Sequence, residues 1–435
     1  MNRAILIQGL GYGDEGKGTT VDWLCREENV KLVVRYNGGA QAGHNVVDDA
    51  GRHHTFSQFG SGTFAGAATL LSRHMLVNPV TIVPEAKHLA ELGVERPLSL
   101  IHVERDALVT TPYHTTANRL REMDRAGGRH GSCGMGIGET VNDWLTQRDG
   151  ALHVRDMEDL TIASRKLGEL RSRMIESTKH IRIETPEMRR EADILEKKDV
   201  AHSILGYLAA FRANVQIVGP EWLLKQQGTI VFEGAQGVLL DQDFGFQPHT
   251  TWSDCTFGNA YRLLDWYGGD ILRLGILRSY ATRHGAGPFV TENKDFEACS
   301  KKDHNVWTDW QQTFRSGAFD LVAAKYALDV IVQPFLERID GLVMTHLDSL
   351  KRAPNVSGVP VCTSYAFPLE VRRPAQYEHQ VELTNRLRDA RPSYETLPLE
   401  GYAESIAERL GVRLHATSWG ATFKDKINHT RLQAA

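Results

Sequence analysis

A glycine-rich segment near the N-terminus constrains the fold of this chain more than any other stretch. Residues 9–18 read Gly-Leu-Gly-Tyr-Gly-Asp-Glu-Gly-Lys-Gly, after an apolar run at 4–7 and before an amphipathic pattern that begins at Thr19. A glycine-rich turn between a strand and a helix directs backbone N–H groups and the positive end of the helix dipole at one point, which favours phosphate. The segment therefore predicts an α/β fold with a phosphate-binding loop after its first strand.

The spacing of this loop is that of a P-loop with two departures. The pattern Gly-x4-Gly-Lys is met from Gly11, but Gly18 stands where Ser or Thr normally binds magnesium. The loop also carries Asp14 and Glu15, and a carboxylate beside phosphate is expected to bind a cation or to move a proton. The alternative is a surface turn with two solvated acids, which does not explain why strand, loop, lysine and helix start coincide.

Composition limits the classes of protein that the chain can belong to. Its 435 residues, 41% of them hydrophobic, can bury a large core. The 50 basic and 54 acidic side chains form no long blocks, which argues against a nucleic-acid partner. Five scattered cysteines without a Cys-x2-Cys pair indicate reduced thiols. No signal peptide is visible and no apolar run approaches the ~18 residues of a membrane span, so we expect a cytoplasmic protein without membrane contact.

Short apolar runs alternate with helical patterns, which favours a mostly parallel central sheet. Strands are predicted at residues 4–7, 32–35, 69–71, 98–102, 229–232, 271–274, 341–345 and 413–416. Helices are predicted at residues 79–92, 115–125, 158–177, 188–212, 321–338, 377–391 and 402–410. We predict a single domain over residues 1–435, with a helical insertion at 156–225 and an appended hairpin-and-helix region at 357–394.

Four further segments could contact a large polar ligand. They are residues 35–45, the glycine-alternating turn at 131–138, residues 232–237 and residues 282–289. His44, in the first of them, can titrate near neutral pH and pass a proton. Gln236, in the third, offers a donor and an acceptor at a strand end, where ligands bind in open α/β sheets. Each alone could be an ordinary loop, but five such loops in one chain indicate a ligand site.

Four motifs occur in order along the chain: Gly-Asp-Glu-Gly-Lys-Gly, Ala-Gly-His, Phe-Glu-Gly-Ala-Gln-Gly and Thr-Arg-x-Gly-Ala-Gly-Pro-Phe. With them the chain resembles the adenylosuccinate synthetases over most of its length. The resemblance implies a homodimeric ligase that uses Mg²⁺ and a nucleoside triphosphate, GTP or alternatively ATP. Such an enzyme phosphorylates O6 of a 6-oxopurine nucleotide and couples L-aspartate at C6, which converts IMP to adenylosuccinate.

The resemblance also implies roles for individual residues. Asp14 would remove the N1 proton and bind magnesium together with Gly43, and His44 would stabilise charge between O6 and the γ-phosphate. Gln236 would hold the O6 side, and Lys17 would neutralise phosphates. The triphosphate and its base are assigned to Gly13, Glu15, Gly16, Lys17, Gly18, His346, Asp348, Ser418 and Gly420. The purine nucleotide is assigned to Gln41, Ser132, Cys133, Arg148, Gln236 and Thr251, and the amino acid to Thr308, Thr313 and Arg315.

Three of these regions depart from the family pattern, and two of them are assigned to the nucleotides. His346 replaces the lysine of a Thr-Lys-Leu-Asp stretch that reads guanine, although Asp348 can still accept from guanine N1 and N2. This leaves GTP and ATP as alternatives, with GTP favoured. In the phosphate-side turn, Ser132, Cys133 and Met135 replace two threonines and an arginine.

The region that corresponds to the aspartate loop of the family departs most. Residues 307–317 replace the arginine-rich loop of the family, and Arg315 is their one arginine. Arginine binds carboxylate bidentately and contacts ribose, so its loss leaves the amino acid, the purine 2-substituent and the sugar open. One alternative is the same chemistry on GMP or dGMP, giving an N6-succino-2-aminoadenine nucleotide, as in the divergent branch with phage enzymes of the 2-aminoadenine pathway. Another is a nucleotide-binding sensor without ligase activity, against which the intact acid and base argue.

Overall fold

The computed structural model describes residues 2–265, 267–300, 310, 313–353 and 358–432. Within these residues the strands are β1 (Arg3–Gly9), β2 (Leu32–Arg35), β3 (His44–Val47), β4 (His53–Phe56), β5 (Ala68–Leu71), β6 (Ile101–Glu104), β7 (Gln216–Val218), β8 (Thr229–Gly237), β9 (Asp270–Arg278), β10 (Ala281–His284), β11 (Phe314–Gly317), β12 (Phe319–Asp320), β13 (Gly341–Thr345), β14 (Val359–Ser364), β15 (Ser393–Leu397), β16 (Leu414–Ser418) and β17 (Lys426–Asn428). The helices are α1 (Lys17–Glu27), α2 (Pro79–Glu91), α3 (Pro112–Asp124), α4 (Ile137–Gln147), α5 (Leu160–Thr178), α6 (Pro186–Glu196), α7 (Asp199–Asn214), α8 (Gly258–Leu263), α9 (Glu297–Ser300), α10 (Leu321–Ile331), α11 (Tyr377–Arg388), α12 (Tyr402–Leu410) and α13 (His429–Leu432).

A large sheet forms the centre of the molecule. In the described chain it has ten strands in the order β17-β16-β13-β9-β1-β8-β2-β5-β6-β7, parallel throughout except for the β16–β17 pair. This confirms the predicted α/β fold with a mostly parallel sheet. Because β1 lies between β8 and β9, the loops that leave the carboxyl ends of these three strands meet at one edge, where ligands bind in such sheets.

The apolar run of β1 is buried on both faces, as expected for a central parallel strand. Ala4 and Leu6 pack into one hydrophobic cluster, which also contains Phe232. Ile5 and Ile7 point to the other face and pack with residues of α1 such as Val21. Since side chains alternate along a strand, one unbroken apolar run supplies both layers of the core and holds the following loop at the sheet edge.

All eight predicted strands overlap strands of this sheet, but the strand predicted at 98–102 was wrong in extent, because residues 98–100 lie in a 3-10 helix (Pro97–Leu100) and β6 begins at Ile101. Strands β7 and β17, which the patterns did not show, are the edge strands. Two predicted helices were wrong in extent. The pattern at 188–212 is two helices, α6 and α7, because the polar residues Lys197 and Lys198 interrupt it and Asp199 begins a new helix with a favourable charge at its N-terminus. The helix predicted to reach residue 338 ends at Ile331, three residues before Pro334, which cannot donate a helical hydrogen bond.

The two predicted subregions have the following structures. Residues 156–225 contain α5, α6, α7 and the edge strand β7, and their helices pack on α2 and α3. The described part of 357–394 contains β14, α11 and the start of β15, and β14 pairs with both β12 and β15. No helix among the described residues is both long enough and apolar enough to span a membrane.

Candidate active site

The loop between β1 and α1 is organised around Glu15. The Glu15 carboxylate accepts hydrogen bonds from the N–H groups of Gly11 (3.0 Å) and Gly13 (2.7 Å). Lys17 Nζ lies 2.8 Å from the other carboxylate oxygen and donates to the Gly13 carbonyl at 2.8 Å. Both charged side chains are buried. Gly13 and Lys17, which were assigned to phosphate, therefore bond to an internal carboxylate together with the amide of Gly11, and a bound phosphate has to share or take over these bonds.

Gly18 lies against the start of β3. A Cβ at this position would lie 2.9 Å from the Cβ of His44 and 3.0 Å from the carbonyl oxygen of Asn45, so a serine or threonine would clash. The hydroxyl that holds magnesium in an ordinary P-loop is thus excluded by packing. Any metal at this loop has to be bound by other groups.

Asp14 and Gly43 are the predicted metal ligands. The Asp14 side chain is 21% exposed, whereas that of Glu15 is 4% exposed, and Gly43 is exposed. Magnesium usually takes one or two carboxylates together with phosphate oxygens and water. Within the described ranges no group of three or more His, Cys, Asp or Glu side chains could hold a metal by itself. The residues therefore fit a magnesium ion that binds with the phosphates.

His44 is paired with a buried glutamate. Its Nδ1 lies 2.5 Å from Glu233 Oε1, while Ser61 donates to the same carboxylate from its hydroxyl (2.5 Å) and its N–H (2.9 Å). Arg35 lies beside Glu233 in the parallel register of β2 and β8. Burial opposes ionisation of Glu233, but the Arg35 charge and the bonds from His44 and Ser61 outweigh it and hold the pKa of Glu233 at about 2.

The protonation state of His44 follows from this pair. Burial lowers the pKa of His44 to about 4, and Glu233 offsets only part of that effect. At neutral pH the ring is therefore neutral, with Nδ1–H directed at Glu233 and a lone pair on Nε2. Nε2 is buried without a hydrogen-bond partner in the described chain. An anionic oxygen placed there favours the protonated ring, so His44 can act as a donor once a polyanion binds.

Two glutamines also present buried polar atoms. Gln236 has a φ of 53°, and its Oε1 is without a partner among the described residues, as are both amide atoms of Gln41. Gly38 makes room for this arrangement, since a Cβ there would lie 3.0 Å from Gln236 Oε1. Unpartnered buried polar groups cost free energy and are rare. Together with His44 Nε2, these atoms indicate where a polar ligand binds.

The turn at residues 131–136 is fastened to α3. Ser132 Oγ bonds to the Asn118 side chain at 3.1 Å. Burial raises the pKa of the Cys133 thiol to about 11, so the thiol stays protonated. The two residues assigned to the purine nucleotide thus lie on a turn held by the protein, and the serine hydroxyl already has a protein partner.

Trp310 packs on the same turn. A Cβ at Gly134 would lie 2.7 Å from its indole ring, and the Arg119 guanidinium lies 5.1 Å from the ring centre. Arg119 also donates to the Gly134 carbonyl at 3.0 Å. The segment that replaces the arginine-rich loop therefore contacts the turn assigned to the nucleotide. Thr308, predicted for the amino acid, lies outside the described residues.

Arg315 is bonded largely to its own surroundings. It donates to Glu292 (2.8 Å) and to the carbonyls of Gly285 (2.7 Å) and Gly287 (3.0 Å). Its Nε is buried and has no hydrogen-bond partner in the ranges that the structure describes. Thr313 is exposed, and its carbonyl accepts from the Gly285 N–H at 3.0 Å. Three of the five N–H groups of Arg315 thus bond within the described protein, which leaves the buried Nε–H and one N–H of Nη1 for a ligand carboxylate.

Arg283, in the motif at 282–289, also bonds to backbone. It is buried and donates to the carbonyls of Pro288 (2.9 Å) and His249 (3.2 Å). Its guanidinium lies 4.3 Å from the ring centre of Tyr12, in the phosphate loop. This arginine therefore shapes the loop and joins it to the phosphate loop.

The residues assigned to the triphosphate base lie together. His346 and Asp348 follow β13, and Ser418 and Gly420 lie at the carboxyl end of its parallel neighbour β16. A Cβ at Gly16 would lie 3.3 Å from His346 Cε1, so this pair of strand ends adjoins the phosphate loop. Burial lowers the pKa of His346 well below its usual range. It is therefore neutral and does not replace the charge of the family's lysine.

A lysine lies in this area that the sequence did not single out. Lys426 stands opposite Ser418 in the β16–β17 pair and donates to Thr19 Oγ1 (2.7 Å) and the Thr422 carbonyl (2.9 Å). Burial lowers its pKa to about 8. Its bonds join the C-terminal hairpin to the first turn of α1.

The remaining two predicted residues do not meet the unpartnered atoms in the described structure. Arg148 is exposed at the end of α4, and its guanidinium lies over the Trp144 ring at 4.7 Å. Thr251 is half-buried and donates its N–H to the Leu240 carbonyl at 2.9 Å. Their assignment to the nucleotide stays a prediction.

Sequence reasoning missed Glu233, Ser61 and Arg35. Glu233 was visible as the acid of Phe-Glu-Gly-Ala-Gln-Gly, three residues before Gln236, and a buried strand ending in an acid is a signal for a paired charge. The role of the other two depends on strand register and on a distant loop, for which the sequence carries no local signal.

Comparison with known proteins gives a consistent result. The sequence model of the family Adenylosuccinate synthetase matches residues 6–414. The chain is 30% identical to an adenylosuccinate synthetase from Streptomyces coelicolor over 415 residues, which are 93% of this chain and 89% of the relative. It is also 30% identical to one from Mycobacterium avium over 415 residues, 93% of this chain and 88% of the relative.

Solved structures agree on the fold. A fully ligated adenylosuccinate synthetase from Plasmodium falciparum superposes with a TM-score of 0.77 at 20% identity, over 98% of this chain and 99% of that one. A succinoaminodeoxyadenylate synthetase from cyanophage S-2L, bound to dGMP and dATP, gives a TM-score of 0.61 at 16% identity, over 100% of this chain and 98% of that one. With a family match over nearly its whole length, the chain belongs to the adenylosuccinate synthetases, which are ligases that form C–N bonds.

Proposed function

We propose that the enzyme phosphorylates O6 of IMP with a nucleoside triphosphate and couples L-aspartate at C6 to give adenylosuccinate. The observation that carries this proposal is the set of unpartnered buried atoms on His44, Gln41 and Gln236 beside the phosphate loop that holds Asp14. A base, an electrophilic donor and an amide reader at one sheet edge match a 6-oxopurine next to a γ-phosphate.

In the first step, Asp14 takes the N1 proton of the purine, and the released electron pair moves to O6. O6 attacks the γ-phosphorus, an O6–P bond forms, and the bond to the nucleoside diphosphate breaks. His44, held by Glu233, donates from Nε2 to the oxygens that gain charge, and Gln236 holds the O6 side. Magnesium would bind Asp14 and the Gly43 carbonyl with the phosphates, and it would neutralise their charge.

In the second step, the aspartate amine attacks C6. The C6–N bond forms, the C6–O6 bond breaks, and inorganic phosphate leaves with O6. Phosphorylation is needed because an oxo group on an aromatic ring is a poor leaving group. We assign the aspartate carboxylates to Arg315, Thr313 and Thr308, which lie in the segment that contacts the nucleotide turn through Trp310.

We propose GTP as the phosphate donor, read by Asp348 with Ser418 and Gly420, because the carboxylate can accept from guanine N1 and N2. ATP is the alternative, since His346 is neutral where the family has lysine. The resemblance to the family further supports a homodimeric, cytoplasmic enzyme.

A second candidate is the same chemistry on GMP or dGMP. The observation that favours it is the replaced loop, in which Trp310 packs on Gly134 and Arg315 is bonded to carbonyl groups instead of standing free for ribose. The sensor alternative has less support, because a sensor does not require both the carboxylate of Asp14 and His44 held by a buried hydrogen bond to Glu233.

The proposal is tested with IMP labelled with ¹⁸O at O6. Incubation with Mg²⁺, GTP and L-aspartate should give adenylosuccinate by mass spectrometry, with the label in inorganic phosphate. Parallel reactions with GMP, dGMP and ATP identify the acceptor and the donor. Unlabelled phosphate with full turnover would contradict phosphorylation of O6, and no product from any acceptor would contradict ligase activity.

A further inference from the structure

His284 lies next to the predicted base and has not been assigned a role. Its Nε2 is 3.7 Å from Asp14 Oδ2, and its ring centre is 4.7 Å from that of Phe314. His284 is the variable residue of the Thr-Arg-x-Gly-Ala-Gly motif, so its presence is a property of this chain. The side chain is 18% exposed, and its distance to Asp14 places it next to the proposed base.

The path of the chain indicates on which side of Asp14 this histidine lies. In the sheet, β1 has β8 on one side and β9 on the other. Gln236 lies at the carboxyl end of β8 and Asp14 follows β1, whereas His284 ends β10, which follows β9 along the chain and pairs with β11 outside this sheet. From this path we infer that the three groups follow the order Gln236, Asp14, His284.

A 6-oxopurine presents O6, N1 and C2 in the same order along one edge of its ring. If Gln236 holds O6 and Asp14 faces N1, as in the proposed function, the substituent at C2 faces His284. That position carries hydrogen in IMP and an amino group in GMP and dGMP. The residue at 284 is thus placed to distinguish these two classes of nucleotide.

The chemistry of His284 suits an amino group. An imidazole ring that carries one N–H can direct it from Nε2 towards the Asp14 carboxylate, 3.7 Å away. The lone pair is then on Nδ1, which is buried and has no hydrogen-bond partner among the residues that the structure describes. The neighbouring Arg278, which donates to the Asp14 carbonyl at 3.2 Å, can only donate.

We propose that His284 is a specificity residue that accepts a hydrogen bond from the 2-amino group of a guanine-type nucleotide in the acceptor site. The inference rests on the proposed function, because it needs a 6-oxopurine with N1 at Asp14. The acceptor site would then contain a hydrogen-bond acceptor for the 2-amino group of GMP or dGMP. IMP, which carries hydrogen at C2, would not use it.

The test compares nucleotides that differ only at C2. We would measure kcat/KM for IMP and GMP, and for dIMP and dGMP, together with binding by calorimetry without a phosphate donor. The variants are His284→Leu, which removes both nitrogens, and His284→Asn, which keeps a short polar side chain. His202→Gln, on the exposed surface of α7, is the matched control.

His284→Leu should lower kcat/KM and affinity for the 2-amino nucleotides by about tenfold relative to their 2-hydrogen partners, the size of one hydrogen bond. His284→Asn should restore part of the ratio, and His202→Gln should leave it unchanged. Equal losses for both classes, or none, would overturn the proposal. A wild-type enzyme that neither binds nor converts any of the four nucleotides would instead overturn the proposed function itself.

Discussion

The loop after β1 and the loop after β10 both carry family motifs, yet their charges are used differently. In the first, Glu15 and Lys17 form a buried pair that shapes the loop, and Asp14 stays partly exposed. In the second, Arg283 and Arg315 donate mainly to backbone carbonyls of their own region. On the phosphate side the carboxylate proposed as the base is thus partly exposed, whereas on the amino-acid side most N–H groups of the two arginines bond within the protein. This difference predicts that changes near β1 affect the chemical step and changes near β11 affect amino-acid use.

The largest loss of turnover is expected at the base. Asp14→Asn removes the proton acceptor at N1 and a metal ligand, and should lower turnover by at least ~10²-fold, the usual scale for a general base. Steady-state kinetics on the folded variant measure it. Asp149→Asn, whose side chain is fully exposed, is the control. Turnover like that of the wild type would remove Asp14 from the mechanism.

The next effect concerns the buried pair on the same side of the site. His44→Asn should reduce turnover by ~10²-fold while nucleotide affinity stays within about tenfold, or ~1.4 kcal/mol. Glu233→Gln should act in the same direction because it releases the ring from its carboxylate. Since the two residues act as a unit, the double variant should be little worse than the more damaged single one. Fully additive losses would show that they work independently.

A smaller effect is expected on the amino-acid side. Arg315→Ala should raise the aspartate concentration needed for half-maximal rate by roughly 30-fold or more, the lower end of the ~2–5 kcal/mol for losing a buried charge contact. Nucleotide binding should persist. Titrations of aspartate measure this.

Glu292→Gln separates binding from anchoring. It removes the ion pair of Arg315 without removing the guanidinium, so it should change the aspartate requirement less than Arg315→Ala does. Equal effects of the two variants would indicate that Arg315 only anchors its loop, and an unchanged requirement in both would mean that the carboxylate is bound elsewhere.

The last prediction concerns stability, since Asp320 is expected to have the smallest effect on turnover. Asp320 caps α10 by accepting hydrogen bonds from the N–H groups of Val322 and Ala323. Burial raises its pKa to about 6, above its usual value, so the native state binds a proton more tightly than the unfolded chain. Stability should therefore fall by about 1–3 kcal/mol as pH rises from 4 to 6 and stay lower above that. Asp320→Asn keeps the cap and should flatten this part of the curve in denaturant titrations. An unchanged pH dependence would contradict the raised pKa.

Much of the fold followed from local patterns. The buried run of β1, the glycine loop and the start of α1 are adjacent in sequence, and their alternation with later strands predicted the parallel sheet. The edge strands β7 and β17 are three residues long and carry too few residues to show a period. The region 188–212 was predicted as one helix because its apolar residues keep a helical spacing throughout. The end of α6 and the start of α7 are set instead by the charged residues between them.

Part of the candidate site could likewise be predicted from local motifs, and part could not. Asp14, Lys17, His44 and Gln236 lie in motifs whose residue types and spacing point to phosphate and proton chemistry without any structure, and their roles stay predictions until the variants are measured. Glu15 was assigned to the nucleotide, but in the structure its carboxylate binds its own loop.

The sequence by itself determined the family, the parallel α/β fold and the loop that would meet a phosphate, because each depends on residues that are neighbours along the chain. The tertiary structure decided which residues surround the ionisable side chains of the site. Glu233 bonds to His44 across 189 residues of sequence, and Arg35 and Ser61 reach Glu233 through strand pairing and a returning loop. The fold also brings His284, at the end of β10, beside Asp14. Electrostatic interactions and hydrogen bonds depend on distances of a few ångströms between such residues, and these distances arise only when the whole sheet is assembled.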